Sequence, residues 1–161
     1  EELKLMLRNM PKQPDVIALQ ETWIKLNFPG YRLNRGDRQG GGVATLLRDG
    51  IPYSMQVIEH VKYELLLVTI PARRWANINI FNLYIPPSVD IHSLSTSLHK
   101  SFCHSNSIIL GDFNAYSVVF GAAYSDKKGR LVESLMDQFG FGCSKHRYGY
   151  TPDTEWSDHT Y

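Results

Sequence analysis

Two short apolar runs constrain this chain most, because each stops abruptly at polar residues that an ordinary core strand does not need. Val16-Ile17-Ala18-Leu19 is continuous enough for a strand buried on both faces, and it ends at Gln20-Glu21-Thr22. Ser107-Ile108-Ile109-Leu110 is a second buried strand that runs straight into Gly111-Asp112-Phe113-Asn114. The carboxyl ends of such strands are where α/β folds gather their sites. Between the two runs, residues 43–47, 54–59, 64–70 and 76–84 form a meander of β-type segments, punctuated by Gly, Pro and charged residues.

Three stretches carry helical spacing instead. Leu3, Met6, Leu7 and Met10 form one face behind Glu1 and Glu2, and Pro11 ends that helix. Ile91, Leu94, Leu98 and Phe102 mark a second helix after Pro86-Pro87. Gly129 and Arg130 open a third, with Leu131, Leu135 and Met136 inward and glycines 140 and 142 as its stop. A short strand over 143–146 and a half-strand over 158–161 complete the chain. Strands and helices mixed in this order, with no repeat or linker, predict an α/β sandwich of two sheets flanked by helices, one domain over residues 1–161. The chain opens at the edge of a helix without a methionine or signal peptide, so a cut edge is expected there.

Composition narrows the partners. The 43% hydrophobic and 20% charged content is that of a globular protein and excludes disordered and collagen-like chains. A formal charge of +1 is too balanced to hold nucleic acid by bulk charge, so a phosphate ligand must be met by a local site. Two cysteines without CxxC spacing exclude a disulfide framework and lean toward a reducing compartment. The longest apolar stretch, residues 65–70, is far short of the roughly 20 residues of a membrane helix, so no membrane partner is expected. Nothing in the sequence points to an oligomer.

Asp112 and Asn114 stand at i and i+2, which in extended backbone aims both side chains the same way. A carboxylate and an amide facing one ligand suit a hard cation such as Mg²⁺, which keeps sites open for water and phosphate. The alternative is a turn in which Asp and Asn bond local backbone. Glu21 alone is equally a solvated strand end, and Tyr84 a core tyrosine with its hydroxyl at the rim. Adjacent Cys103-His104, with Cys143-x-x-His146, is poor zinc spacing. Glycines 40–42 precede a strand rather than a helix and read as a hairpin entry, not a phosphate cradle. Arg35, Arg38, Lys127, Lys128, Arg130, Lys145 and Arg147, with Tyr116, Tyr124, Tyr148 and Tyr150, either line a DNA groove or form ordinary solvated surface.

Four segments in order, Pro14 through Gln20-Glu21-Thr22, Gly40-Gly41-Gly42-Val43-Ala44, Asn82-Leu83-Tyr84-Ile85-Pro86-Pro87 and Ile109-Leu110-Gly111-Asp112-Phe113-Asn114-Ala115, resemble the endonuclease/exonuclease/phosphatase superfamily. Within it the chain is most similar to the apurinic-type endonuclease domain of LINE-type (non-LTR) retrotransposons. The resemblance implies a four-layered αββα sandwich of two mostly antiparallel mixed sheets, here incomplete at both termini. It implies Mg²⁺- or Mn²⁺-dependent phosphodiester hydrolysis that nicks DNA for target-primed reverse transcription. Glu21 then matches the metal-binding glutamate and Asp112 the aspartate that activates or orients the attacking water. Asn114 matches the asparagine that positions water and phosphate, and Tyr84 a tyrosine beside the scissile phosphate. DNA as substrate, a reverse transcriptase in the same parent polypeptide and action in the nucleus follow from the same resemblance. A phosphatase or nuclease of the same fold acting on a smaller phosphate ester is the alternative.

The chain departs from the pattern in three places. The family's first strand, with an asparagine that helps hold the metal, precedes the helix at which this chain begins. After Ala115 the retrotransposon pattern has a histidine pair and a tryptophan, where this chain has Tyr116, Ser117 and Phe120. Ser157-Asp158-His159 matches the family's terminal motif, whose histidine is catalytic, but it also fits an earlier strand motif, Ser-x-Asp-x-Thr-aromatic, whose aspartate orients that histidine. Asp158 follows Asp112 by only 46 residues, which leaves no room for the intervening strands and favours the earlier motif. Asp158 is then the orienting residue and His159 a strand residue. The catalytic histidine is then missing from this chain, so residues 1–161 as they stand are expected to show little or no nuclease activity, and a further alternative is an inactive remnant that at most binds nucleic acid.

Overall fold

The computed structural model describes residues 2–22, 28–35, 42–58, 62–72, 74–90, 94–95, 98–99 and 102–143. In chain order these form α1 (Glu2–Asn9), β1 (Val16–Leu19), β2 (Tyr31–Arg35), β3 (Ala44–Arg48), β4 (Ser54–Ile58), β5 (Glu64–Ile70), β6 (Ile78–Tyr84), β7 (Ser107–Asp112) and α2 (Lys127–Phe139). Leu94, Ser95, Leu98, His99 and Phe102 have helical backbone within the crossover from β6 to β7. Among the described residues, no helix is long and apolar enough to cross a membrane.

The strands build two sheets. One is antiparallel, in the order β1-β3-β2. The other runs β4-β5-β6-β7, antiparallel up to β6, with β7 parallel to β6. Period-2 alternation sorts their side chains into layers. On β3, Leu46 packs with Leu7 of α1, whereas its neighbour Leu47 faces Val68 and Ile80 of the other sheet. On β5 and β6, Leu65, Leu67, Phe81 and Leu83 turn away from that interface onto Leu94, Leu98, Phe102, Val132 and Leu135. The layers are therefore helix, sheet, sheet, helix, as the sequence led one to expect.

Several local details differ from the expected pattern. Met6 is 50% exposed, and the buried face of α1 runs through Leu3, Leu7 and Met10. The sequence gives β2 no apolar run: Tyr31 and Leu33 pack inward while Arg32 lies outside, the alternation of a strand buried on one face only. Neither signature run is doubly buried. Among the described residues β1 sits at a sheet edge, and it is half-buried throughout. Among the described residues β7 is also an edge, and Ile108 is 49% exposed. Helix α2 starts two residues earlier than expected: Asp126 caps it by accepting from the Gly129 amide at 2.7 Å. Leu135 and Met136 are buried as expected, Leu131 packs half-buried against the same core beside the buried Val132, and Gly140 ends the helix in left-handed backbone at φ 70°. The strand expected over 143–146 is not formed at Cys143, and its remainder, with residues 158–161, lies outside the described residues.

Candidate functional site

The parallel register of β6 and β7 sets Tyr84 opposite Asp112. Gly111 makes that approach possible. Its φ is 153°, and a Cβ there would fall 1.9 Å from the Leu83 carbonyl oxygen, so no other residue fits without displacing a strand. Beyond the pair the ladder extends by one bond, Ile85 N–H to the Asp112 carbonyl at 2.9 Å.

At Asp112 the backbone leaves the strand. Asn114 has φ 45°, and its amide N–H donates to Asp112 Oδ1 at 2.8 Å. The local turn is therefore the arrangement the structure adopts, and the extended i, i+2 geometry is not. The turn still presents both groups at the strand end, and Asn114 Nδ2 donates to the Ile85 carbonyl at 3.0 Å, which fixes its amide plane.

Glu21 arrives from the other sheet, also in left-handed backbone, at φ 51°. Side chains on either side of it hold that conformation. Gln20 Nε2 donates to Asn82 Oδ1 at 2.7 Å, and Thr22 donates from both its amide and its hydroxyl to the Gly42 carbonyl at 3.0 and 3.1 Å. Asn82 is fully buried, and its Nδ2 is shared among the Leu19 carbonyl, the Ala44 carbonyl and Thr45 Oγ1 at 2.9 to 3.2 Å. A single amide on β6 thus ties together β1 and β3 just before Glu21.

The Tyr84 hydroxyl donates to Glu21 Oε1 and closes the site across the two sheets. That hydrogen bond, then burial, then the negative charges of Glu21, Asp112 and Glu64 push the phenol up to about 12, so it remains a donor at any physiological pH. Glu21, Tyr84, Asp112 and Asn114 therefore converge, whereas Asp158 and His159 lie outside the described residues, as do Arg38, Lys145, His146, Arg147, Tyr148 and Tyr150. The sequence marks Gln20 beside Glu21 but not Asn82 as a site-builder. The available signal was a polar residue at an inward position of an otherwise apolar strand.

The loop after Asn114 is anchored from beneath. Ser117, fully buried, donates to Glu133 Oε1 at 2.5 Å, and Ser125 donates to the same oxygen at 2.6 Å. These two bonds hold the Glu133 carboxyl below the usual carboxylate range. Lys128 Nζ donates to the Pro86 and Pro87 carbonyls at 3.2 and 2.7 Å, so α2 is latched to the turn after Tyr84. An open groove of about 1080 Å³ runs past Asp112, Asn114, Tyr116, Lys127 and Lys128.

Among the described residues no three His, Cys, Asp or Glu side chains assemble into a metal cage, and Cys103 and Cys143 are both exposed and not joined in a disulfide. The donor set beside Tyr84 is two carboxylates and an amide. That set fits Mg²⁺, which takes one or two protein carboxylates and leaves the rest of its shell to water and phosphate, and it does not fit zinc.

Residues 78–161, just over half of the chain, match the family described as endonuclease-reverse transcriptase. The chain belongs to that family. The matched region starts at β6 and takes in Tyr84, Asp112 and Asn114, while Glu21 lies upstream of it. No curated protein sequence matches the chain. Among solved structures, the endonuclease domain of TRAS1, a telomere-specific non-LTR retrotransposon, superposes with a TM-score of 0.60 at 22% identity. That superposition covers 78% of this chain and 60% of the TRAS1 chain, and at such identity it establishes the α+β sandwich fold of this endonuclease-reverse transcriptase family member.

Proposed function

We propose that the chain is the DNA-nicking portion of a non-LTR retrotransposon protein, hydrolysing phosphodiesters with Mg²⁺ or Mn²⁺. In this reading residues 1–161 belong to one endonuclease domain. It works in the nucleus, with a reverse transcriptase in the same parent polypeptide that extends the 3′ hydroxyl left by the nick. The observation that carries the reading is the convergence of three distant motifs on one sheet end, sealed by the Tyr84 to Glu21 hydrogen bond and the Tyr84–Asp112 register.

Each side chain has work that its geometry suits. Glu21, oriented by the Tyr84 hydroxyl, would hold the cation together with the neighbouring oxygen donors of the Asp112 turn. The bound metal supplies Lewis-acid polarisation of a phosphoryl oxygen and stabilisation of the leaving oxygen. Asp112 accepts a hydrogen bond from the attacking water and aligns it, and the Asn114 amide positions water and phosphate. The near-neutral charge agrees with a substrate gripped locally rather than by a basic surface.

Supercoiled plasmid incubated with the parent polypeptide that contains the chain, and with Mg²⁺, tests this. Nicked circles are expected, with Asp112→Ala slower by at least about a hundredfold. Turnover of a small phosphate monoester in the absence of nicking would overturn the reading in favour of a phosphatase.

A further inference from the structure

Two tyrosines on the loop after Asn114 have no place in the chemistry above. The rings of Tyr116 and Tyr124 stack on each other with centroids 5.5 Å apart and planes 19° from parallel, yet the residues are 57% and 60% exposed. Tyr116 lines the groove that holds Asp112 and Asn114.

The backbone beneath Tyr116 is tightly fixed. Its carbonyl accepts the Asp126 amide at 2.9 Å. It also lies so close to Gly129 that a Cβ there would stand 1.8 Å from the same oxygen. One residue on, Ser117 is fully buried and bonded to Glu133, which also holds Ser125, the residue after Tyr124. Both tyrosines therefore project from a scaffold set before any ligand arrives, and little further ordering is needed on binding.

We propose that the Tyr116–Tyr124 stack is a platform for an unpaired nucleobase next to the phosphate held at Asp112 and Asn114. This rests on the nuclease reading and adds to it the kind of substrate: DNA in which a base beside the cleaved bond is free to leave the helix. Tyr116 is two residues from Asn114, so their backbones are at most about 7 Å apart. Successive nucleotides in a strand rise by about 3.4 Å, which puts the platform within about two nucleotides of the phosphate. Exposed Lys127 lines the same groove and supplies positive charge for the strand's backbone. Aromatic faces beside a cationic groove are how proteins hold unpaired bases without regard to sequence, and fully paired duplex DNA keeps its bases out of reach.

The test is fluorescence anisotropy of the full chain, with Ca²⁺ in place of Mg²⁺, on a labelled duplex carrying one unpaired adenine. The same duplex with an abasic residue at that position is the control. The wild type is expected to bind the bulged duplex about tenfold tighter than the abasic one. Tyr116→Ala/Tyr124→Ala loses that preference and Tyr116→Phe/Tyr124→Phe keeps it, with thermal melts showing both variants folded. If the wild type nicks plasmid and binds both duplexes equally, or the alanine variant keeps the preference, the platform is refuted and the nuclease reading stands. If the wild type neither nicks plasmid nor binds either duplex, the nuclease reading itself fails and the platform falls with it.

Discussion

The two strand ends that form the site look alike in sequence and are held in different ways. The turn at Asp112 is built by its neighbours: its own side chain binds the Asn114 amide, and Asn114 reaches only to Ile85 on the continuation of the adjacent strand. Glu21 depends on residues about sixty positions away in the other sheet, through Gln20 to Asn82 and through Tyr84 to its own carboxylate. One end is therefore a local motif carried by a strand pair. The other records how the two sheets pack, and any slip between them moves Glu21 while leaving Asp112 in place.

The largest effect should come from breaking the local end. Gly111→Ala sets a methyl group against the Leu83 carbonyl at a positive φ, and a loss of about 3–5 kcal/mol in urea unfolding is expected. Breaking the remote end should cost less but be more selective. Asn82→Leu preserves volume and strips partners from Gln20 and from the Leu19 and Ala44 carbonyls, for a loss of about 2–3 kcal/mol. Nicking in this variant should fall further than the residual folded fraction explains, and its apparent Mg²⁺ requirement should rise. Equal losses in folding and nicking would show that Asn82 only holds the sheets together.

The smallest effect on stability belongs to Tyr84→Phe, which removes one partly exposed hydrogen bond. The sign of its pH dependence is fixed. The phenol is raised from 10.0 to about 12, so whatever the bond contributes is fully present below pH 10 and disappears as pH rises through 12. Unfolding midpoints of wild type and Tyr84→Phe should therefore run parallel up to about pH 10 and converge above it. Convergence already below pH 10 would overturn the assignment of this titration to Tyr84.

The local end was readable from the chain itself, since Gly-Asp-x-Asn encodes its own turn. Strand positions followed wherever apolar residues ran together, as over 64–70. They failed at β2, whose alternation of Tyr31 and Leu33 with arginines and asparagine is too short to stand out. The remote end was half readable: Glu21 was marked by its position after an apolar run, but what holds it was not. Asn82 sits between Phe81 and Leu83, and only the face-to-face packing of two sheets makes a buried amide there satisfy three acceptors. Long-range pairing of this kind leaves no periodic trace in a single sequence.

The hydrogen bond from the Asp126 amide to the Tyr116 carbonyl has one more consequence. It brings the two ends of an eleven-residue stretch together at the base, as in a compact Ω-loop, with the fold's own chemistry on one side and a capped helix on the other. With Ser117 and Ser125 kept on Glu133, the exposed residues of the stretch, such as Val118, Val119 and Tyr124, can be exchanged at small cost while Asn114 and the first turn of α2 stay where they are. In the nuclease proposed above, preference for one target over another can thus diversify in this loop while Glu21, Tyr84, Asp112 and Asn114 are inherited unchanged.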